Sequence, residues 1–363
     1  MNPLIIDAHQ DIAYNMLSFG RDYTRSVLDT RQVEASTATP EHNGDTLLGW
    51  PEYQHGRVGL VFSTLFAPPA KGKIEPWETI YYRTPDEAHR LYRNQLDVYH
   101  RLADEKPDKF RLVLSQADLN AVVEHWGQDS AAEHPVGLVP LMENAEAIRA
   151  PAELEEWWAN GLRLIGLAWS GNHYCGGTHE PGPLTAAGQE LLEAMADVGF
   201  MLDISHMDPP AALQAVERYR GPVIASHSNA VALLKGYDGN RHLPTELIHS
   251  LLERDGVIGI VPLNGFLLPG WRKGNDRSLV TLGYVVAQID FVCQLAGDAR
   301  HVGLGTDFDG GFGVQSVPAE IDTIADLPKL IPLLEGKGYS PEDIASIFGQ
   351  NWLRKLRSFL PEA

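Results

Sequence analysis

The sequence predicts one α/β domain, a TIM-type (β/α)8 barrel spanning residues 1–363. Three observations carry this. Eight short apolar runs recur along the chain, beginning near residues 4, 58, 137, 162, 200, 222, 257 and 301. Helical patterns separate them, which implies right-handed βαβ units and a parallel sheet. Finally, no Gly-x-Gly-x-x-Gly fingerprint follows the first run, which disfavours a doubly wound open sheet, and no Pro-, Gly- or Ser-rich linker divides the chain. The expected barrel need not be regular. It carries an inserted loop region after the first strand and a helical C-terminus.

The first strand is Leu4-Ile5-Ile6-Asp7-Ala8-His9, running into Gln10-Asp11. Residues 12–58 show no clean period and read as an irregular, polar segment, long enough to be a functional loop above a site. Val58–Leu65 is a continuous apolar run, as a strand buried on both faces requires. Thr84-Pro85-Asp86-Glu87 opens a long helix with a capping box and an apolar stripe through Leu91, Leu96 and Leu102. The short segment 111–114 is a strand candidate outside the count of eight. Strands at 136–142 and 162–169 flank a helix that starts near Pro151, and Gly199 stops a helix from Thr185 to Val198. Strands ending at Ser205 and Ser226 are joined by a helix from Asp208-Pro209. Helices at 244–254 and 285–295 precede the last two strands, and Ser340-Pro341-Glu342-Asp343 starts a terminal helix.

Composition narrows the function. With 44% hydrophobic residues the chain can bury a large core, and a formal charge of -19 disfavours nucleic acid or an anionic membrane as partner. Two cysteines, Cys175 and Cys293, provide neither a disulfide framework nor a Cys-rich zinc site. The N-terminus lacks the features of a signal peptide, and no run of about 18 apolar residues suggests a membrane span. The expectation is a soluble, cytoplasmic protein without a membrane partner, its oligomeric state left open.

The chemistry collects at the strand ends. His9 and Asp11 lie two apart, so an extended strand presents them to the same face. Later strands run into Glu143, Trp169, His206, His227 and Asp307. A barrel gathers its strand C-termini on one face, which is where active sites form. Three histidines with two or three carboxylates suit zinc or a similar borderline cation better than magnesium or calcium. Five ligands exceed the three that a mononuclear catalytic zinc takes from protein, so two divalent ions sharing a carboxylate are expected. Such a pair supports hydrolysis.

These residues resemble the renal (membrane) dipeptidases, binuclear zinc enzymes of the amidohydrolase-like barrel group. The likeness spans nearly the whole chain. It rests on Asp7-Ala8-His9-Gln10-Asp11, on Glu143, on Leu202-Asp203-Ile204-Ser205-His206, on Ile224-Ala225-Ser226-His227-Ser228, on Gly305-Thr306-Asp307-Phe308-Asp309-Gly310 and on Asn351-Trp352-Leu353-Arg354. The resemblance implies a metallo-exopeptidase that hydrolyses dipeptides through a metal-bridging hydroxide. It implies that His9, Asp11 and Glu143 hold one metal and Glu143, His206 and His227 the other. Asp307 would be the general base and then acid, and Arg241 would bind the substrate's C-terminal carboxylate. Asp309 reads as a turn residue or a support to the site.

One position departs from the family. Where a substrate-contacting histidine is expected, this chain has Leu167-Ala168-Trp169-Ser170-Gly171-Asn172-His173. Trp169 can line a pocket and donate one hydrogen bond but can neither accept one nor carry charge. His173 is the candidate to supply an imidazole from the same loop, which also holds Cys175 and His179; no separate metal site is expected there. The departure keeps two alternatives open: a related amidohydrolase acting on N-acyl amino acids, lactams or modified peptides, and a non-catalytic metal-binding protein that binds peptides.

Overall fold

The computed structural model describes residues 2–71, 77–128 and 133–363. Its barrel strands are β1 (Ile5–Gln10), β2 (Val58–Leu65), β3 (Val136–Met142), β4 (Leu164–Gly166), β5 (Met201–Asp203), β6 (Val223–Ile224), β7 (Ile258–Ile260) and β8 (Val302–Leu304). They pair in parallel in the order β7-β8-β1-β2-β3-β4-β5-β6. Between β6 and β7, Ala225 bridges to Ile258. There the Ala225 N–H donates to Val257 O at 3.0 Å and the Gly259 N–H to Ala225 O at 2.8 Å. The strands thus form a nearly closed barrel, at the positions the apolar runs predict. Phe110–Leu112 pairs with β3 outside this ring, consistent with leaving it out of the eight.

Local chemistry sets the element ends. Helix Ala186–Val198 stops at Gly199, whose φ of 107° belongs to the left-handed region. Ser340 and Asp343 cap each other's backbone at the start of the terminal helix. At Thr84 the expected capping box is only half made: Thr84 Oγ1 accepts the Glu87 N–H at 3.3 Å, but the Glu87 carboxylate takes the Arg83 N–H instead, at 2.6 Å. The C-terminal motif works on the barrel wall. Asn351 donates to Ala299 O and Val302 O at 2.7 and 2.8 Å, and the Trp352 indole donates to Leu304 O at 3.1 Å.

Two expectations need correction. The segment after β1 is not irregular: it contains helices Ile12–Phe19, Val27–Glu34, Thr39–His42 and Trp50–Gly56. Each has at most eight residues, too few turns for an apolar period to emerge in the sequence. The expected helix at 285–295 also begins earlier, as Leu282–Ala296 after a short 3-10 turn at Arg277–Leu279, and the stretch 277–296 is long and apolar enough to cross a membrane by length and composition. In the fold this stretch is the crossover between β7 and β8. Leu282, Val285, Val286, Ile289 and Val292 face the core, while Asp290 accepts from Tyr339 Oη at 2.8 Å on the outer side. The high hydropathy therefore reflects a wide core-facing stripe.

The helical segment is fastened to the barrel by Asp309, which is fully buried. Its carboxylate accepts from Tyr23 Oη at 2.9 Å, Thr46 Oγ1 at 2.5 Å and the Leu47 N–H at 2.9 Å, and pairs with Arg21 Nη1 at 2.9 Å. Removing one partner from such a network strands the others in a desolvated place. Asp309→Ala is therefore expected to lower unfolding stability by about 3–5 kcal/mol. Calorimetric unfolding checks this; a loss below about 1 kcal/mol, the level of a typical exposed pair, would contradict the anchoring role.

Candidate active site

All the strand-end groups converge on the C-terminal mouth of the barrel. His9, at the end of β1, has no accessible surface, and among the described residues neither ring nitrogen has a hydrogen-bond partner. A buried imidazole left in that state is costly unless something electrophilic serves its lone pair. His9 Nε2 lies 3.6 Å from Glu143 Oε1, 3.9 Å from Asp11 Oδ2 and 3.8 Å from Asp307 Oδ1. The same Glu143 oxygen is 3.1 Å from His206 Nε2 and 3.5 Å from His227 Nε2. One carboxylate oxygen therefore sits among three imidazoles.

Hydrogen bonds behind the histidines decide which nitrogen faces inward. Ser226 Oγ donates to Asp203 Oδ2 at 2.5 Å, so at 2.7 Å it accepts from His227 Nδ1–H, leaving the Nε2 lone pair free. Thr178 Oγ1 donates to the His206 carbonyl at 3.3 Å and accepts from His206 Nδ1 at 3.0 Å, with the same consequence. The two Nε2 atoms then face each other at 2.9 Å. Two lone pairs at that distance repel unless a cation lies beside them.

The electrostatics agree. Burial holds His9, His206 and His227 below the ordinary imidazole range, so all three stay neutral at pH 7. Burial raises Asp11 to about 6, and pushes Glu143 and Asp307 well above the carboxylate range, with the negative charge of Asp11 adding to both. Neutral imidazoles beside carboxylates that resist sharing negative charge make a donor set suited to divalent cations. Among the described residues, potential ligand atoms within 4.8 Å of one another form two groups, His9–Glu143–His227 and His9–Asp11–Asp307. His9 is common to both, whereas the family resemblance shares Glu143; His206 joins the first group through its contacts with Glu143 and His227.

Backbone strain holds two of these side chains. His206 and Asp307 have φ of 67° and 58°, in the left-handed region that non-glycine residues avoid. Asp307 is tied back by its N–H to His9 O at 3.2 Å. Asp7, which the first motif places beside the ligands, accepts from the Thr306 N–H at 2.7 Å and Oγ1 at 2.5 Å, so β1 and β8 end in fixed register.

Above this floor opens a cavity of about 730 Å³, lined by Asp11, Glu143, His206 and Asp307 and by Arg241 and Trp169. Arg241 is buried; its Nη1 donates to Ser228 Oγ at 2.9 Å and its Nη2 to His227 O at 2.7 Å, while Nε has no partner among the described residues. His173 does not reach the cavity. Asn172 turns the loop by donating to Leu167 O at 2.7 Å and Asn144 Oδ1 at 2.8 Å, and the His173 ring lies tilted against Tyr174, its Nδ1 3.5 Å from Glu146 Oε1. The imidazole that this loop does bring to the cavity is His179. It sits at the tip of a hairpin formed by Cys175–Gly177 and Glu180–Leu184, at φ 63°, its N–H donating to Asn240 Oδ1 at 3.0 Å. The Gly176-Gly177 pair before it and Pro181-Gly182-Pro183 after it were the available hairpin signal. The aromatic lining from Tyr14, Phe19 and Phe66 has no clear sequence signal, because Tyr14 and Phe19 lie in the short helix after β1 and Phe66 in the loop after β2.

Comparison with known proteins places this geometry. The model of the membrane dipeptidase family (peptidase family M19) matches residues 2–359. A Klebsiella pneumoniae protein described as an uncharacterized protein in the pqqA 5′ region is 30% identical over 284 residues, covering 76% of this chain and 98% of its own. Dipeptidase aclJ of Aspergillus oryzae is 29% identical over 313 residues, covering 85% of this chain and 68% of its own. Two solved structures share the fold. A metallo peptidase from Rhodobacter sphaeroides, liganded with a phosphinate mimic of the dipeptide L-Ala-D-Ala, has a TM-score of 0.78 at 21% identity, covering 98% of this chain and 99% of its own. The probable dipeptidase PvdM from Pseudomonas aeruginosa has a TM-score of 0.77 at 21% identity, covering 97% and 94%. With a family model matched along almost its entire length, the chain belongs to the membrane dipeptidase family, peptidase family M19.

Proposed function

We propose that this protein hydrolyses the amide bond of dipeptides with two bound divalent ions, zinc being the best fit to the donor set. The observation that carries the reading is the convergence of three neutral imidazoles on one Glu143 oxygen, in a cavity that also presents Asp307 and Arg241. His9, Asp11 and Glu143 would hold one ion, and Glu143, His206 and His227 the other. When bound, such ions polarise the amide carbonyl and lower the pKa of water near neutrality.

The chain's own residues do the rest. Asp307 takes a proton from the attacking water as the new C–O bond forms, and returns it to the leaving nitrogen as the C–N bond breaks. Its carboxyl faces the cavity from a strained backbone, so little reorganisation is needed between the two transfers. Arg241 fixes the substrate by its C-terminal carboxylate. A planar guanidinium can grip both oxygens, and the Ser228 and His227 contacts already hold its Nη atoms in place. Trp169 bounds the cavity between Phe66, with ring centroids 5.2 Å apart, and His206, at 6.1 Å.

Asp307→Asn should lower kcat by about 10²–10⁴-fold with bound metal unchanged, because only the proton transfer is removed. Near-normal kcat in that variant, with metal content measured on the same sample, would refute the assignment. Arg241→Leu should raise KM for dipeptides at least about tenfold, as expected for loss of a charge-assisted bidentate contact. Steady-state kinetics decide this, and an unchanged KM would remove Arg241 from the binding site.

A further inference from the structure

We infer that the preferred substrates are dipeptides whose N-terminal residue carries an aromatic or large apolar side chain, an inference that rests on the dipeptidase reading above. It comes from how the cavity wall is distributed around the barrel. Tyr14 and Phe19 follow β1, Phe66 follows β2 and Trp169 follows β4, and all line the cavity. Their rings form a continuous chain: Phe19 to Tyr14 at 6.4 Å, Tyr14 to Phe66 at 5.5 Å, and Phe66 to Trp169 at 5.2 Å. Trp77 extends it, stacked on Phe19 at 6.1 Å. Phe19, Phe66, Trp77 and Trp169 are only half-buried, so the wall offers apolar area to whatever enters.

Arg241 lies on the loop after β6, and in the strand order of the ring β6 is four positions from β2, the opposite side of the barrel. Glu143, after β3, reaches across the floor, its Oε1 3.6 Å from His9 Nε2 of β1 and 3.5 Å from His227 Nε2 after β6, and Asp307 lies 3.8 Å from the same His9 nitrogen. A dipeptide with its carboxylate on Arg241 and its amide over Glu143 and Asp307 therefore directs its N-terminal side chain at the aromatic wall. That side also carries polar groups: Asp11 at the floor, the imidazoles His42 and His179, and a Lys71–Glu180 pair in which Lys71 also donates to Ser170 Oγ at 3.1 Å. Glu78, next to Trp77, adds one carboxylate to the lining, so a basic N-terminal side chain is the competitor to test.

The test is kcat/KM of the metal-loaded enzyme on Phe-Ala, Leu-Ala, Ala-Ala, Lys-Ala and Glu-Ala. Phe-Ala and Leu-Ala should exceed Ala-Ala by about tenfold or more, the usual return for burying a large apolar side chain, with both charged substrates below Ala-Ala. Turnover in which Ala-Ala, Lys-Ala or Glu-Ala equals or exceeds Phe-Ala overturns the inference and leaves the dipeptidase reading standing. No turnover of any of the five overturns both. Phe66→Ala should reduce the Phe-Ala to Ala-Ala ratio about tenfold, and half-buried Phe19→Ala gives the same readout if the first variant is unstable. A ratio unchanged in a folded variant contradicts the wall's role.

Discussion

Two imidazole nitrogens, His206 Nε2 and His227 Nε2, face each other at 2.9 Å with a Glu143 oxygen beside both. Much of the barrel mouth is built to hold that approach. Asp203 and Ser226 set the tautomer of His227, and Thr178 sets that of His206. His206 reaches its position only through a left-handed backbone. The strand that delivers His227 fits into the barrel because two glycines leave room: a Cβ on Gly259 of β7 or on Gly305 at the end of β8 would collide with Ser226 O. A single methyl group at either position would push the β6 end, and with it His227, away from Glu143.

The barrel also explains why one cavity can combine opposed chemistries. Each loop leaves the ring at a fixed angular position, so groups of different chemistry reach the cavity from different directions. Loops after β1, β2 and β4 contribute the linked rings of Tyr14, Phe19, Phe66 and Trp169, the loops after β6 and β7 contribute the buried Arg241 with Tyr237 and Phe266, and the strand ends themselves contribute the carboxylate–imidazole floor. The hairpin after β4 couples these parts. Its tip carries Thr178, which orients His206, and His179, which faces the cavity, and Asn240 ties the tip to the Arg241 loop by donating to Gly177 O at 2.9 Å and accepting the His179 N–H.

Much of this was legible from residues alone, for a physical reason. Barrel strands are apolar on both faces and end in the site, so His9, Glu143, His206, His227 and Asp307 stand where an apolar run gives way to a titratable residue. The helices after β1 were not legible, because pieces such as Thr39–His42 are shorter than the pattern that identifies a helix. The orientation of side chains in the β4 loop is hidden from the sequence for a related reason. Whether His173 or His179 faces inward depends on the turn made by Asn172 and on the pairing of the hairpin, which are tertiary facts that residue spacing does not encode. Asp309 shows the same limit: its partners Tyr23, Thr46 and Leu47 are more than 260 residues away in the chain.

A buried imidazole–carboxylate cluster that serves as the metal centre for dipeptide cleavage must make activity depend on its metal. This dependence is tested most directly by titrating zinc into chelator-stripped protein while following hydrolysis of a dipeptide and the metal retained. The stripped protein should show no turnover, and activity should rise with bound zinc and saturate at two equivalents per chain. Full dipeptide hydrolysis by the stripped, metal-free protein would contradict that dependence.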